Sequence, residues 1–179
     1  MSNLSQFKNQ FLGGARPNLF EAEIYFPSLV GSGGLASQKS RFMIKGAQLP
    51  SSVIAAIEVP YRGRKLKIAG DRSFEPWTIS VLNDSNMEIR NAFEEWMNLI
   101  NRHTSNTSAY TNDPLGYYKD LHIKQLTRER GDTTKKYTFV GAFPTNISTI
   151  ELNYETNDAV EEFTVELNYQ YWVADTTAG

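Results

Sequence analysis

"EVPYRGRKLKIAGDRSFEPWTISVLND" (58–84) crowds four cations, Arg62, Arg64, Lys65 and Lys67, into one loop and strand, with Phe74 and Trp77 close behind. Reading Arg62-Gly63 as a two-residue turn, the glycine free to take a positive φ, sets the pairing of what flanks it. Tyr61 then faces Arg64, Val59 faces Leu66, Ile57 faces Ile68 and Glu58 faces Lys67. Apolar residues meet on one face and opposite charges on the other, as a hairpin register requires. Pro60 has no amide hydrogen, so its strand is expected to be an edge. Lys65 and Lys67 alternate away from Leu66 and Ile68, towards solvent or a partner. Lysine on an exposed edge guards against aggregation; a contact surface uses the same pattern, and alternation leaves both open.

The rest of the chain reads mainly as strands. In "LFEAEIYF" (19–26), Phe20, Ala22, Ile24 and Phe26 share one face, with Glu21 and Glu23 on the other. "RFMIKG" (41–46) and "WTISVLN" (77–83) are further strands. So are "DLHIKQL" (120–126) and "KYTFVGAF" (136–143), joined by a polar turn at Arg130-Gly131-Asp132-Thr133. "EEFTVELNYQYWV" (161–173) alternates most cleanly, Phe163, Val165, Leu167, Tyr169 and Tyr171 against Glu162, Thr164, Glu166, Asn168 and Gln170. Burying those five side chains contributes on the order of 10 kcal/mol before conformational entropy, which places this strand in the core. Its other face carries acid and no base. "SLVGSGGLASQKS" (28–40) reads as a Gly/Ser-rich loop.

One amphipathic helix stands out in "SNMEIRNAFEEWMNLINRH" (85–103). Ser85 and Glu88 have capping-box spacing. Ile89, Phe93, Trp96, Met97 and Ile100 form one apolar stripe expected to pack on a sheet, and Arg90 and Glu94 are an i,i+4 pair on the wet side. The polar connection that follows, 101–120, is long enough to suggest a contact role.

Composition narrows the function. At 179 residues the chain is most simply one domain. Its net charge of −2 lacks the basic balance usual in duplex-DNA binders; only a local basic cluster exists. The absence of cysteine excludes disulfides, thiolate ligands and a cysteine nucleophile. Met1 to Phe11 lacks the apolar run of a signal peptide and no stretch suits a bilayer, so a cytosolic setting, or assembly there, is expected. His103 and His122, the only histidines, fall in different elements without ligand spacing, and are expected to be surface or packed side chains. Glu94 and Glu95 are neighbours on a helix and face different directions. "VGSGG" (30–34) is followed by no Lys-Ser/Thr and no helix opening for a phosphate, Arg130-Gly131-Asp132 reads as turn residues, and Arg90 and Asp71 as ion-pair residues. No constellation for catalysis, cofactor or metal emerges. The profile is that of a scaffold or assembly subunit.

From Val59 to Asn101 the chain resembles the tail tube proteins of contractile-tailed, T4-like bacteriophages. The resemblance rests on Tyr61 to Arg64 (Tyr-Arg-Gly-Arg), Ala69 to Phe74 (Ala-Gly-Asp-Arg-x-Phe), Pro76 to Thr78, Asn83-Asp84, and Ile89 to Trp96 (Ile-Arg-x-Ala-Phe-Glu-x-Trp). "FLGGARPNLFEAEI" (11–24) and "FPTNISTIELNYETNDAVEEFTVELNYQYW" (143–172) extend it over nearly the whole chain. It implies a mainly β fold, a two-sheet sandwich or barrel with one flanking helix, in a single domain over 1–179. An N-terminal arm of about 1–17 and a C-terminal tail of about 174–179 would flank it.

It also implies a structural role without enzymatic activity or cofactor. Six copies form rings, and rings stack into the hollow tube of the virion tail, assembled in the host cytoplasm. Sheath, tape-measure, baseplate and terminator proteins are the implied partners; genomic DNA passes through the bore without sequence-specific binding, and no membrane is involved. Tubes of phage-like bacteriocins and type VI secretion are the neighbouring reading, and a nucleic-acid-binding β module the remote one. With the family in place, Tyr61, Arg62, Arg64, Lys65 and Lys67 are expected at contacts between subunits or with the sheath. Glu162, Thr164, Glu166 and Asn168 are expected towards the lumen, where an acidic or neutral wall lets duplex phosphates slide.

Overall fold

Alternating apolar residues resolve into strands in the computed structural model, which describes residues 3–11, 14–113, 115–128 and 131–177. The order is α1 (Leu4–Phe11), β1 (Phe20–Glu23), α2 (Gly33–Met43), β2 (Ile44–Ala47), β3 (Val53–Tyr61), β4 (Arg64–Ser73), β5 (Trp77–Leu82), α3 (Glu88–Ile100), β6 (Lys119–Leu126), β7 (Thr133–Ile147), β8 (Glu162–Asn168) and β9 (Tyr171–Ala174). One sheet runs β1-β6-β7-β8-β5-β2 with β9 also on β7, and β3 and β4 form a separate two-stranded sheet. All pairings are antiparallel.

Strand β7 joins the two halves of the large sheet. Its first part pairs with β6 and β9, and Phe143 to Ile147 pair with β8. The change falls at Gly141, whose φ of +63° belongs to the left-handed region that favours glycine. The Gly141 amide donates to Asp120 Oδ1 at 3.0 Å, and the Val140 carbonyl accepts from the Gln170 amide at 3.0 Å. The same corner corrects the expectation of one strand through 161–173. Pairing with β5 and β7 ends at Asn168, and Tyr171 begins β9 on the other half of β7. Tyr169 is half-buried against Phe139, and Tyr171 is exposed.

The core lies between the two halves. Phe163, Val165 and Leu167 of β8 are buried as the alternation predicts, beside Ile79 and Val81 of β5 and Leu121 and Ile123 of β6. Trp77 stacks on Phe139 at 4.2 Å between ring centres, tying β5 to β7. Ile89, Phe93 and Trp96 of α3 are buried, while Met97 and Ile100 are half-buried at the rim. The expected capping box is absent. Helix α3 starts at Glu88, whose amide donates to Asp84 Oδ1 at 3.0 Å, so Asp84 does the work assigned to Ser85.

Two helices accompany the expected one. Residues 33–43, read as loop and then strand, form α2, and strand β2 begins at Ile44. Helix α2 buries Gly33, Ala36 and Ser40, small residues at i, i+3 and i+7, against β1 and α3. Helix α1 buries none of its residues.

Candidate functional site

Local chemistry builds the β3–β4 hairpin in the register expected for it, with Tyr61 opposite Arg64, Val59 opposite Leu66, Ile57 opposite Ile68 and Glu58 opposite Lys67. Arg62 (φ +45°) and Gly63 (φ +81°) both lie in the left-handed region, as a two-residue turn matching strand twist demands. Gly63 takes this at no cost; for Arg62 it is strained by about 1 kcal/mol. Every residue from Val53 to Ser73 except Gly70 is exposed, and no other helix or strand among the described residues lies against the hairpin. Just before its base, Trp77 Nε1 donates to the Gln48 carbonyl at 2.8 Å and Trp172 Nε1 to the Ser51 carbonyl at 3.0 Å.

The five hairpin residues singled out in the sequence do not share one surface. Tyr61 and Arg64 face each other at the end of the apolar face of Ile57, Val59, Leu66 and Ile68. Lys65 and Lys67 sit on the opposite face with Glu58, whose carboxylate lies 2.6 Å from Lys65 Nζ and 4.0 Å from Lys67 Nζ. Arg62 at the turn lies over the Tyr61 ring, Cζ to ring centre 5.4 Å. Neither Arg62 nor Arg64 has a carboxylate within ion-pair distance among the described residues. Five large apolar side chains stand between 41% and 66% exposed on a face that also presents unpaired cations. That combination is chemistry for binding protein.

A second candidate surface is the outer face of β8. Glu162, Thr164 and Glu166 are exposed and Asn168 is half-buried, and Leu82, Ser80 and Thr78 of β5 lie opposite the first three. Lys45 of β2 pairs with Glu162. The face is therefore polar and mildly acidic, and runs the length of β8 from Glu162 to Asn168.

Elsewhere charge serves the fold. The N-terminus of α2, the helix opening that "VGSGG" was read as lacking, is already occupied. Glu95 Oε1 accepts from the Gly31 amide at 3.0 Å, and Oε2 accepts from the Ser32 hydroxyl at 3.2 Å. Glu94 points away to Arg90, 2.8 Å distant. Arg90 also donates to the Ser148 carbonyl at 3.0 Å and covers the Phe163 ring; Asp71 stands on exposed β4 with no ion pair among the described residues. Glu23, expected on a wet face, is buried. Burial pushes its pKa up, but Lys124 at 2.8 Å and Arg41 at 3.0 Å outweigh that and hold it below the usual carboxylate range. His103 is exposed. His122 is half-buried, with Nδ1 3.0 Å from Thr138 Oγ1, and burial lowers its pKa. Arg130 of the Arg130-Gly131-Asp132 turn lies outside the described residues.

Sequence reasoning missed one further surface. Between β7 and β8 the loop carries Glu151, Glu155, Asp158 and Glu161 with no Lys or Arg, and leaves Leu152, Tyr154 and Val160 exposed. Its signal was present as an acidic run without a base.

Comparison with known proteins agrees with this architecture. The family described as phage tail tube protein matches residues 15–175. The tail tube protein of Enterobacteria phage T4 is 30% identical over 158 residues, 88% of this chain and 90% of that protein. The tail tube protein of Serratia phage KSP90 is 29% identical over 178 residues, 98% of each. Two cryo-EM structures share the fold. A chain of the anti-feeding prophage tube-terminating cap has a TM-score of 0.64 at 15% identity, with 90% of each chain covered. A chain of the PVC sheath–tube complex, from an extracellular contractile injection system in its extended state, has a TM-score of 0.60 at 12% identity, with 98% of this chain and 99% of that one covered. A family match over residues 15–175, beside a relative 30% identical over 88% of this chain, decides the assignment: the chain belongs to the phage tail tube protein family.

Proposed function

We propose that six copies of this chain close a ring by joining their sheets into one inner barrel, and that stacked rings form the hollow tube of a contractile tail through which genomic DNA passes. The observation that carries this is the hairpin β3–β4, a ladder with one bulge after Ile54 that holds an apolar face and arginines without ion pairs clear of the other helices and strands among the described residues. Exposed apolar surface of this kind is a liability in a lone soluble protein and an asset in an assembly. Strand edges support the same reading. The sheet path ends on β1 and β2, and β9 has β7 as its one partner among the described residues.

In this reading the whole chain is one domain, with an arm of about 1–17 and a tail of about 174–179. Tyr61, Arg62, Arg64, Lys65 and Lys67 make contacts between subunits or with the sheath. Glu162, Thr164, Glu166 and Asn168 line the bore. Sheath and terminator proteins are partners of a kind supported by the sheath–tube and cap complexes that contain its structural relatives; baseplate proteins bind one end of the tube, and a tape-measure protein fills the bore before DNA. Assembly takes place in the host cytoplasm, and the chain performs no reaction, in keeping with a family of structural subunits. The phage relatives favour a phage tail over a bacteriocin or secretion tube.

Electron microscopy of the purified protein, before and after concentration, is the test. Rings and hollow tubes are the expected result; a permanently monomeric protein overturns the reading. The exposed cations of the hairpin favour a second reading, a nucleic-acid-binding module with Tyr61 and Trp77 as stacking partners. Burial of Trp77 argues against it. Tight, steeply salt-dependent duplex binding by the monomer, lost when Arg62, Arg64, Lys65 and Lys67 become alanine, would establish it.

A further inference from the structure

The tube reading leaves open what the hairpin of one copy grips. We propose that the Arg62-Gly63 tip, led by Tyr61, seats in the acidic cleft of residues 150–162 on a second copy of the chain. That cleft has a volume of about 340 Å³. Ile150, Leu152, Ala159 and Val160 line it beside Glu151, Glu161 and Glu162, the last already paired with Lys45. Glu155 and Asp158 belong to the same loop, and Glu151, Glu155 and Asp158 have no cation within ion-pair distance among the described residues. The two surfaces are complementary, one an apolar face ending in an aromatic ring and arginines without ion pairs, the other a hollow of mixed apolar and polar lining in an acidic loop whose Glu151, Glu155 and Asp158 have no ion pair among the described residues. A buried Tyr or Arg anchor in a pocket is the form that interface hot spots take.

Two further observations point to a neighbour. Hairpin strands of nine and ten residues reach about 30 Å, and no other helix or strand among the described residues meets them. Arg62 occupies a left-handed turn position that glycine or asparagine would fill with less strain, so its side chain has use beyond the turn. A contact between two different patches of one molecule is head-to-tail. Such contacts close into rings or run on as stacks, which are the two operations a tube needs.

This inference rests on the tube reading, and charge reversal separates the two. Arg62→Glu with Arg64→Glu, and separately Glu151→Lys with Glu155→Lys, are each expected to cut sedimentable tubes at least tenfold, with circular dichroism and Tm of the subunit unchanged. All four changes in one chain restore the attraction with its sign reversed and are expected to recover most of the tubes. A wild-type protein that forms no rings or tubes overturns the tube reading and this docking with it. Wild-type tubes that survive either reversal, or that the fourfold variant fails to recover, overturn the docking alone. The chain has no cysteine, so mixing Tyr61→Cys and Leu152→Cys copies provides a second readout. Mixed dimers well above those of either variant alone are expected under oxidation, and their absence counts against the docking even if the fourfold variant misfolds.

Discussion

Glu95 caps a helix it does not belong to: from α3 its carboxylate accepts from the amide of Gly31 at 3.0 Å and from the amide of Ser32 at 3.4 Å, at the start of α2. Ser32 makes no side-chain cap of its own, so the long-range carboxylate satisfies donors that a local residue usually takes. Glu95→Ala is expected to cost about 1 kcal/mol, a fall in Tm of about 3 °C for a chain of this size by scanning calorimetry. Glu95→Gln, which keeps an acceptor without the charge, is expected to lose less.

Lys39 joins the same two helices, with Nζ 2.6 Å from both Asp84 and Glu88. The hydrogen bond from Lys39 is the main cause that holds the pKa of Asp84 below its ordinary value, and the bond to Asp84 raises that of Lys39. A depressed carboxylate contributes stability above its unfolded pKa and loses it as pH falls through the folded value, so this contribution fades below about pH 4. The raised lysine works in the other direction, losing its contribution as pH rises above about 10. Urea titrations over pH 2–7 should show a shallower acid decline for Asp84→Asn than for the parent, from a lower stability at neutral pH.

Gly141 holds the corner of β7 at φ +63°, where an added Cβ would stand 3.0 Å from Cγ of Gln170. Gly141→Ala combines backbone strain with a tight contact, at a cost of about 1–2 kcal/mol. Because the corner sends β9 to one half of the sheet and β8 to the other, hydrogen exchange should quicken first in Tyr171–Ala174. Uniform protection after the substitution would mean that the corner relaxes freely.

What was legible follows the range of the forces involved. The hairpin register depends on neighbours within a few residues, so Tyr61, Arg62, Gly63 and Arg64 announced it correctly. Strand β8 was legible to Leu167 because alternation records a two-sided environment. Helix α2 was not. Its Gly33, Ala36 and Ser40 are small because β1 and α3 approach closely, and its N-terminus is completed by Glu95, 63 positions after Ser32. Glycine and serine chosen for close packing look like a loop when their neighbours are unknown. The split of Tyr171 from β8 was hidden likewise, since the corner at Gly141 is a property of another strand. The same alternation placed Lys65 and Lys67 on the face of Glu58, away from Leu66 and Ile68, and Arg64 opposite Tyr61, because strand periodicity is also a local property.

Arg62 separates turn chemistry from assembly. Arg62→Gly removes the strain of a non-glycine residue at positive φ, so subunit stability is expected to hold or rise by up to about 1 kcal/mol. Tube formation is expected to fall, because the guanidinium is lost from the tip. Calorimetry of the monomer beside sedimentation of the assembled fraction checks both. A drop in both quantities would show that the arginine supports its own turn.

The outer face of β8 carries the remaining prediction. Thr164 and Glu166 are exposed on regular strand, and the Thr164 amide keeps its bond to the Ser148 hydroxyl whatever side chain it bears. Thr164→Lys with Glu166→Lys therefore changes charge without touching the core. Repeated around a bore, the added ammonium groups would face duplex DNA carrying about one charge per 1.7 Å and hold it electrostatically. Particles built with this variant are expected to show tails of normal number and length by microscopy but at least a tenfold loss of infectivity. High salt during ejection in vitro should partly relieve the loss, because screening weakens phosphate contacts. If the face lies on the outer wall instead, the same variant will impair the joining of tube and sheath, and DNA release from assembled particles will be normal.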